Sequence, residues 1–225
     1  MSFFRAIGWI VWKDLVTELR SRESLSSMLF FALAVLLIFS FSFGMDRDAI
    51  RELIAGVMWV AFGFTGIIGL GKSFAAELQN DCLEALQASP VSKGAIYLGK
   101  LLANLLFIVS VELLLLPLFV IFFNLDLLGK LPAILGIIMA GTLGLSALGT
   151  LFSALTAQIR AREVMLPILL LPMAVPVFIG AVEATRGVLG GEPFGLYRPW
   201  LDLLSVFDVI FVVVSFWVVE YVLDV

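Results

Sequence analysis

The sequence predicts an all-α, polytopic membrane protein with six transmembrane helices, an N-terminal amphipathic helix lying in the interface and a short cytoplasmic helix between the second and third spans. Three observations predict it. Hydrophobic residues make up 62% of the 225 and charged residues 14%, with a mean hydropathy of +1.13. A soluble domain carries roughly 25% charged residues, so a chain this apolar needs the bilayer as its solvent. The apolar residues also fall into six runs, each near the ~20 residues that cross a hydrocarbon core. Finally, the lysines and arginines concentrate on one side of the resulting topology.

The elements follow in order. Residues 1–24 read as an interfacial helix, with Phe3, Phe4, Ile7, Ile10, Val11, Leu15 and Leu19 on one broad arc. Arg5, Lys13 and Arg20 lie opposite, Trp9 and Trp12 suit the headgroup layer, and Asp14 and Glu18 interrupt the apolar arc as if to face a protein partner. The spans are expected at Leu25–Phe43, Leu53–Gly71, Leu101–Phe123, Leu131–Leu155, Val164–Val182 and Leu203–Val222. The first of these is too long, too late and too poor in small residues at its end for a cleaved signal peptide. With the N-terminus inside, Arg5, Lys13, Arg20, Arg22, Lys72, Lys93, Lys100, Arg160 and Arg162 are cytoplasmic, against Arg47, Arg51, Lys130, Arg186 and Arg198 outside. Six spans return the C-terminus to the cytoplasm.

Composition narrows the chemistry. The net charge of −4 gives no reason to expect nucleic acid, and the single Cys82 has no partner in the chain for a disulfide. Histidine is absent, which removes the commonest general base, metal ligand and haem axial ligand. No metal site and no catalytic constellation is expected. Gly66-Ile-Ile-Gly-Leu-Gly71-Lys72-Ser73 matches the phosphate-binding pattern G-x-x-x-x-G-K-[ST]. That pattern works as a turn between a strand and a helix, whereas here it ends an apolar span. Its glycines are expected to permit close helix packing, with Lys72 marking the cytoplasmic end.

Three further features stand out. In the cytoplasmic segment 72–92, Phe74–Ala88 reads as a helix stopped by Ser89-Pro90. Glu77, Asp81 and Glu84 share one of its faces beside an apolar stripe of Leu78, Cys82, Ala85 and Leu86, so a basic partner would relieve their mutual repulsion. Glu112 falls at the centre of the third span, where a charged side chain costs a few kcal/mol. It should face a helix interface or cavity and be protonated or hydrogen-bonded, whereas Asp208 and Glu220 sit nearer the ends of the sixth span. Pro167, Pro172 and Pro176 each remove a backbone hydrogen bond from the fifth span, the mark of a kinked, flexible element. The longest outer segment, Glu183–Asp202, is expected to form a short element in the interface around the turn Gly190-Gly191-Glu192-Pro193, with Phe194, Tyr197, Arg198 and Trp200 at its surface.

The run Glu77-Leu-Gln-Asn-Asp81-Cys-Leu83-Glu84-Ala85-Leu86-Gln-Ala-Ser89-Pro90-Val91-Ser92, followed by Gly99-Lys100, resembles the coupling segment of ABC-2-type export permeases. Cys82 stands where that superfamily often has Thr or Ser. Trp59, the segment Lys72–Pro90 and the run from Pro167 to Pro176 are similar to one branch, the CcmB permeases of cytochrome c maturation. The resemblance implies a bacterial cytoplasmic (inner) membrane subunit, itself non-catalytic, working with a CcmA-like ATPase, CcmC-like and CcmD-like membrane subunits and the haem chaperone CcmE. ATP would bind on the partner, and haem would be a possible substrate rather than a cofactor of this chain. Glu77, Asp81, Leu83, Glu84, Leu86, Ser89 and Pro90 would then dock the ATPase, the proline-rich span would flex, and Arg186, Arg198 or Trp200 would offer contacts on the outer side. An ABC-2 permease exporting a lipid, polysaccharide or drug is the nearest alternative. A secondary transporter, which predicts several mid-span charges and inverted repeats, is the more distant one.

Overall fold

A computed structural model describes residues 3–21, 23–43, 47–74, 91–157, 159 and 161–222. Among these residues regular structure is entirely helical: α1 (Phe3–Ser21), α2 (Glu23–Phe43), α3 (Arg47–Ser73), α4 (Lys93–Phe123), α5 (Leu131–Thr156), α6 (Arg162–Gly190) and α7 (Phe194–Val222). The last six are long and apolar enough to cross a membrane, as expected. Residues 75–90, which hold Glu77, Asp81, Leu83, Glu84, Leu86, Ser89 and Pro90, lie outside the described residues, as do Arg22 and Arg160.

Two helices form the interior. α5 packs against α3, α4, α6 and α7, and α3 packs against α2, α4, α5 and α6. The sequence of α5 accounts for its position. From Gly141 to Thr156 it buries Gly141, Thr142, Gly144, Ser146, Gly149, Thr150 and Ser153, and small residues let neighbouring backbones approach closely in a membrane, where hydrophobicity cannot drive helices together. At Gly141 a Cβ would run into the Trp59 ring of α3. The outer ring of helices turns large side chains outward, among them Phe41 at 85% exposed, Ile121 at 73% and Trp217 at 71%, as helices facing lipid should.

The turns have local causes. α4 ends at Asn124 in the left-handed region (φ 50°), whose N–H reaches the Val120 carbonyl, a conformation asparagine tolerates better than most residues. α6 ends at Gly191 (φ 74°), and Pro193 follows it. Lys130 Nζ donates to the Leu189 carbonyl at 2.8 Å, joining the α4–α5 link to the end of α6. Contacts such as this at one end, and Lys72–Glu23 at the other, identify the two faces of the bundle. The face carrying α1 is called the α1 end below.

Four expectations need correction. The third span begins at Lys93 and not Leu101, so Lys100 belongs to the helix and not to the loop before it. The segment Glu183–Asp202 is not an interfacial element: α6 runs on to Gly190 and α7 starts at Phe194, which leaves only Gly191–Pro193 between them. Tyr197 and Trp200 pack against the core, which is why that stretch joins the bundle. Starting so early, α7 has Asp208 as its middle residue and not near an end. Lastly, α1 does not turn its whole apolar arc to lipid. Ala6 is buried, Ile10 lies 2.8 Å from where a Cβ on Gly99 of α4 would sit, and Asp14 faces α4 as well. Phe4, Trp9, Trp12 and Leu19 are exposed instead, on the same side as Arg5, Lys13 and Arg20. An amphipathic pattern marks an apolar face but does not distinguish lipid from a neighbouring helix.

Candidate functional site

Lys100, Glu112 and Asp208, the charged side chains buried among the described residues, mark two places in this apolar bundle. The first is the α1 end, around the last residues of α3. A helix leaves its final carbonyls without intrahelical donors, so donors for the end of α3 must come from elsewhere. Lys100 of α4, 1% exposed, supplies one: its Nζ donates to the Ser73 carbonyl at 3.1 Å and to Asp14 Oδ2 of α1 at 3.1 Å. The ammonium also stands 4.9 Å from the centre of the Phe74 ring. A cation at a helix C-terminus is favoured by the helix dipole, and Asp14 balances the buried charge.

Neighbouring residues complete the arrangement. Asn104, one turn along α4 from Lys100, donates to Ser73 Oγ at 3.1 Å and to Thr150 Oγ1 of α5 at 2.9 Å. The Phe74 N–H points to Ser153 Oγ of α5 at 3.4 Å. Lys72 pairs with Glu23 of α2 at 2.8 Å. The P-loop-like stretch that ends here is helix throughout, as expected for a packing motif: a Cβ on Gly66 would sit 2.7 Å from Leu145 of α5, and one on Gly69 would sit 3.1 Å from Met28 of α2.

The second place is a layer across the middle of the bundle, on either side of α5. Glu112 is fully buried and accepts a hydrogen bond from Thr142 Oγ1 at 2.7 Å, while its Oε1 has no partner among the described residues. The residue therefore faces a helix interface, with a neutral partner and, among the described residues, no basic one. Two residues further along α5, Gly144 makes room for Asp208 of α7, whose Oδ1 lies 2.6 Å from where a Cβ would be. That oxygen also lacks a partner among the described residues. Trp59 crosses from α3 over Gly141 to donate from Nε1 to Thr185 Oγ1 of α6 at 2.9 Å. In the sequence Glu112 marks this layer by its charge and Trp59 only by the family resemblance, whereas Asp208 is hidden by the expected start of the sixth span at Leu203.

The remaining candidates are dispersed. Pro167, Pro172 and Pro176 lie inside α6, which stays helical from Arg162 to Gly190. Arg186 is half exposed and pairs with Glu183 one turn back at 2.8 Å. Arg198 is 3.6 Å from Asp202 on the exposed side of α7, whereas Trp200 turns inward. Lys100 was legible only as part of Gly99-Lys100. The signal that could have found its role is Asp14, an acid on the apolar arc of α1, since two opposite charges on apolar faces neutralise each other most cheaply by meeting. Among the described residues no three histidine, cysteine, aspartate or glutamate side chains converge to hold a metal ion.

Comparison with known proteins bears on this whole arrangement. The family model described as "CcmB protein" matches residues 5–224. A heme exporter protein B of Pseudomonas aeruginosa is 29% identical over 83% of this chain and 82% of its own length. The heme exporter protein B of Rhodobacter capsulatus is 27% identical over 86% of the chain and 88% of its own length. That of Escherichia coli K12 is 29% identical over 78% and 80% respectively.

Proposed function

The chain belongs to the CcmB protein family, and on that premise we propose that it is the membrane subunit of an ABC-type haem-export system for cytochrome c biogenesis. Its work is to couple ATP hydrolysis on a partner chain to haem export or to release of the haem-loaded chaperone. The observation that carries this reading is the family match, which takes in α1, all six spans and the segment 75–90 together. The absence of histidine supports a transmitter over a haem conduit, because the usual axial ligand is missing.

In this reading the protein spans the bacterial inner membrane with its α1 end, and so both termini, in the cytoplasm. A CcmA-like subunit binds and hydrolyses ATP, docking on the acidic face of Glu77, Asp81 and Glu84 and on Leu83, Leu86, Ser89 and Pro90. CcmC-like and CcmD-like subunits lie beside it in the membrane, and the chaperone CcmE is met on the far side. This chain contributes no catalytic residue. Movement passes through the bundle, with the proline-bearing α6 as its compliant part.

The test is purification from membranes with native neighbours. The wild-type chain should retain an ATPase and a CcmC-like subunit, and Glu77→Lys/Asp81→Lys/Glu84→Lys should lose the ATPase while keeping the other. Retention of an ATPase without haem-pathway partners would move the substrate to another class. A wild-type chain that retains no ATPase, under conditions that preserve other membrane complexes, would end the reading.

A further inference from the structure

Lys72, Ser73 and Phe74 immediately precede residue 75 in the chain, and each is held by a different part of the bundle. Lys72 pairs with Glu23 of α2 at 2.8 Å. Ser73 receives Lys100 on its carbonyl and Asn104 on its hydroxyl, both from α4 and both at 3.1 Å. Phe74 is 1% exposed, lies under the Lys100 ammonium and directs its N–H to Ser153 of α5 at 3.4 Å. Through the second hydrogen bond of Lys100, to Asp14, α1 joins the same cluster.

We propose that Lys72-Ser73-Phe74 is the joint through which displacement of the segment that follows enters the membrane, with Lys100 as its buried positioning residue and α1 as the element that moves with it. The inference deepens the proposed function and rests on its reading of residues 75–90 as the ATPase-docking segment.

The physical case begins with cost. A buried ion pair is a poor way to hold helices together, since apolar side chains of the same volume often do as well or better. What the pair adds is a geometric condition. The Lys100 ammonium bonds Asp14 and the Ser73 carbonyl at once, so α1 and the end of α3 shift together or a buried charge loses one of these bonds. Gly99 serves the same end, since Ile10 of α1 rests where its side chain would be and so seats α1 closely on α4. Asn104 extends the link to Thr150, and so to α5, the helix that meets the mid-bundle carboxylates Glu112 and Asp208. A pull on residue 75 therefore meets no slack before it reaches the interior.

The experiment uses the full complex in a strain lacking its own copy of this subunit. It measures retained ATPase, ATP turnover and the yield of haem-loaded c-type cytochrome. Asp14→Asn/Lys100→Met removes both charges together. It should accumulate, retain the ATPase and its turnover, and lower the cytochrome yield by about tenfold, the size of an ordinary coupling between two sites. Lys100→Arg, which keeps the charge and the donors, should restore most of the yield. Phe74→Leu/Ser153→Ala, which alters no charge, should also lower the yield at full ATPase retention. Full cytochrome yield from the double-charge variant, or a yield that falls only in proportion to the protein present, would overturn the joint. Should that variant fail to accumulate, Phe74→Leu/Ser153→Ala decides: undiminished yield overturns the proposal and reduced yield with ATPase bound supports it. A wild-type chain that binds no ATPase removes the functional reading, and the joint with it.

Discussion

Glu112 shows how little a buried polar group needs when the bundle is built around it. Its one partner among the described residues is the Thr142 hydroxyl at 2.7 Å, and an amide oxygen accepts that bond equally well. Glu112→Gln should therefore accumulate in membranes at the wild-type level. Glu112→Lys should not, since an ammonium at this depth costs about 3 kcal/mol; immunoblots of membrane fractions compare the two. The glycines of α5 respond to what lies above them. A side chain at Gly141 meets the Trp59 ring, while nothing lies within 4 Å of the corresponding position at Gly136. Gly141→Leu should lower the melting temperature of the detergent-solubilised protein, through an overpacking cost of about 1–3 kcal/mol. Gly136→Ala should leave it unchanged. If both behave alike, the Trp59–Gly141 contact does not hold α3 to α5.

Among the helices, α6 combines a continuous backbone with three interior prolines, each of which forfeits a hydrogen bond. Pro172 is exposed, so its ring packs little and its removal sacrifices few contacts. Pro172→Ala should restore a backbone bond, raise the melting temperature and, if α6 is the compliant element, reduce the yield of haem-loaded cytochrome. A higher melting temperature with unchanged yield would make the prolines static features. α1 teaches the complementary lesson. Its apolar arc was legible in the spacing of Ile7, Ile10 and Val11, but what covers that arc was not, because lipid tails and helix surfaces are equally apolar. The acids Asp14 and Glu18 on that arc were the better guide, and Asp14 does face the buried Lys100. The docking residues between Glu77 and Pro90 remain a reading of sequence, since they lie outside the described part of the chain.

For the molecule as a whole, two faces follow from the alternation of the helices, and sidedness can be measured directly. Cys82 is the single cysteine, so a Cys82→Ser background accepts reporters at chosen sites. Leu128, 92% exposed in the α4–α5 link, should as Leu128→Cys react with a membrane-impermeant maleimide in intact spheroplasts. Thr17→Cys, on the exposed side of α1, should react only after the membrane is opened. The reverse pattern would invert the orientation and contradict the proposed docking of a cytoplasmic ATPase on residues 75–90.

What the sequence determined by itself was the number and nature of the spans, the role of the glycines in the P-loop-like stretch and the family. Each of these depends on patterns within one continuous stretch of chain: apolar length, small-residue spacing, or a run such as Leu83-Glu84-Ala85-Leu86. The tertiary structure alone decided which polar residues meet. Lys100 was assigned to a loop because a lysine implies water, and it is buried because Asp14, 86 residues earlier in the chain, and the end of α3 satisfy it. Asp208 was placed near a helix end because Phe194–Asp202 reads as aromatic and polar, yet packing of Tyr197 and Trp200 against the core makes that stretch the first turns of α7. Hydropathy measures transfer from water to lipid. It carries no information about a second helix that arrives with the complementary charge.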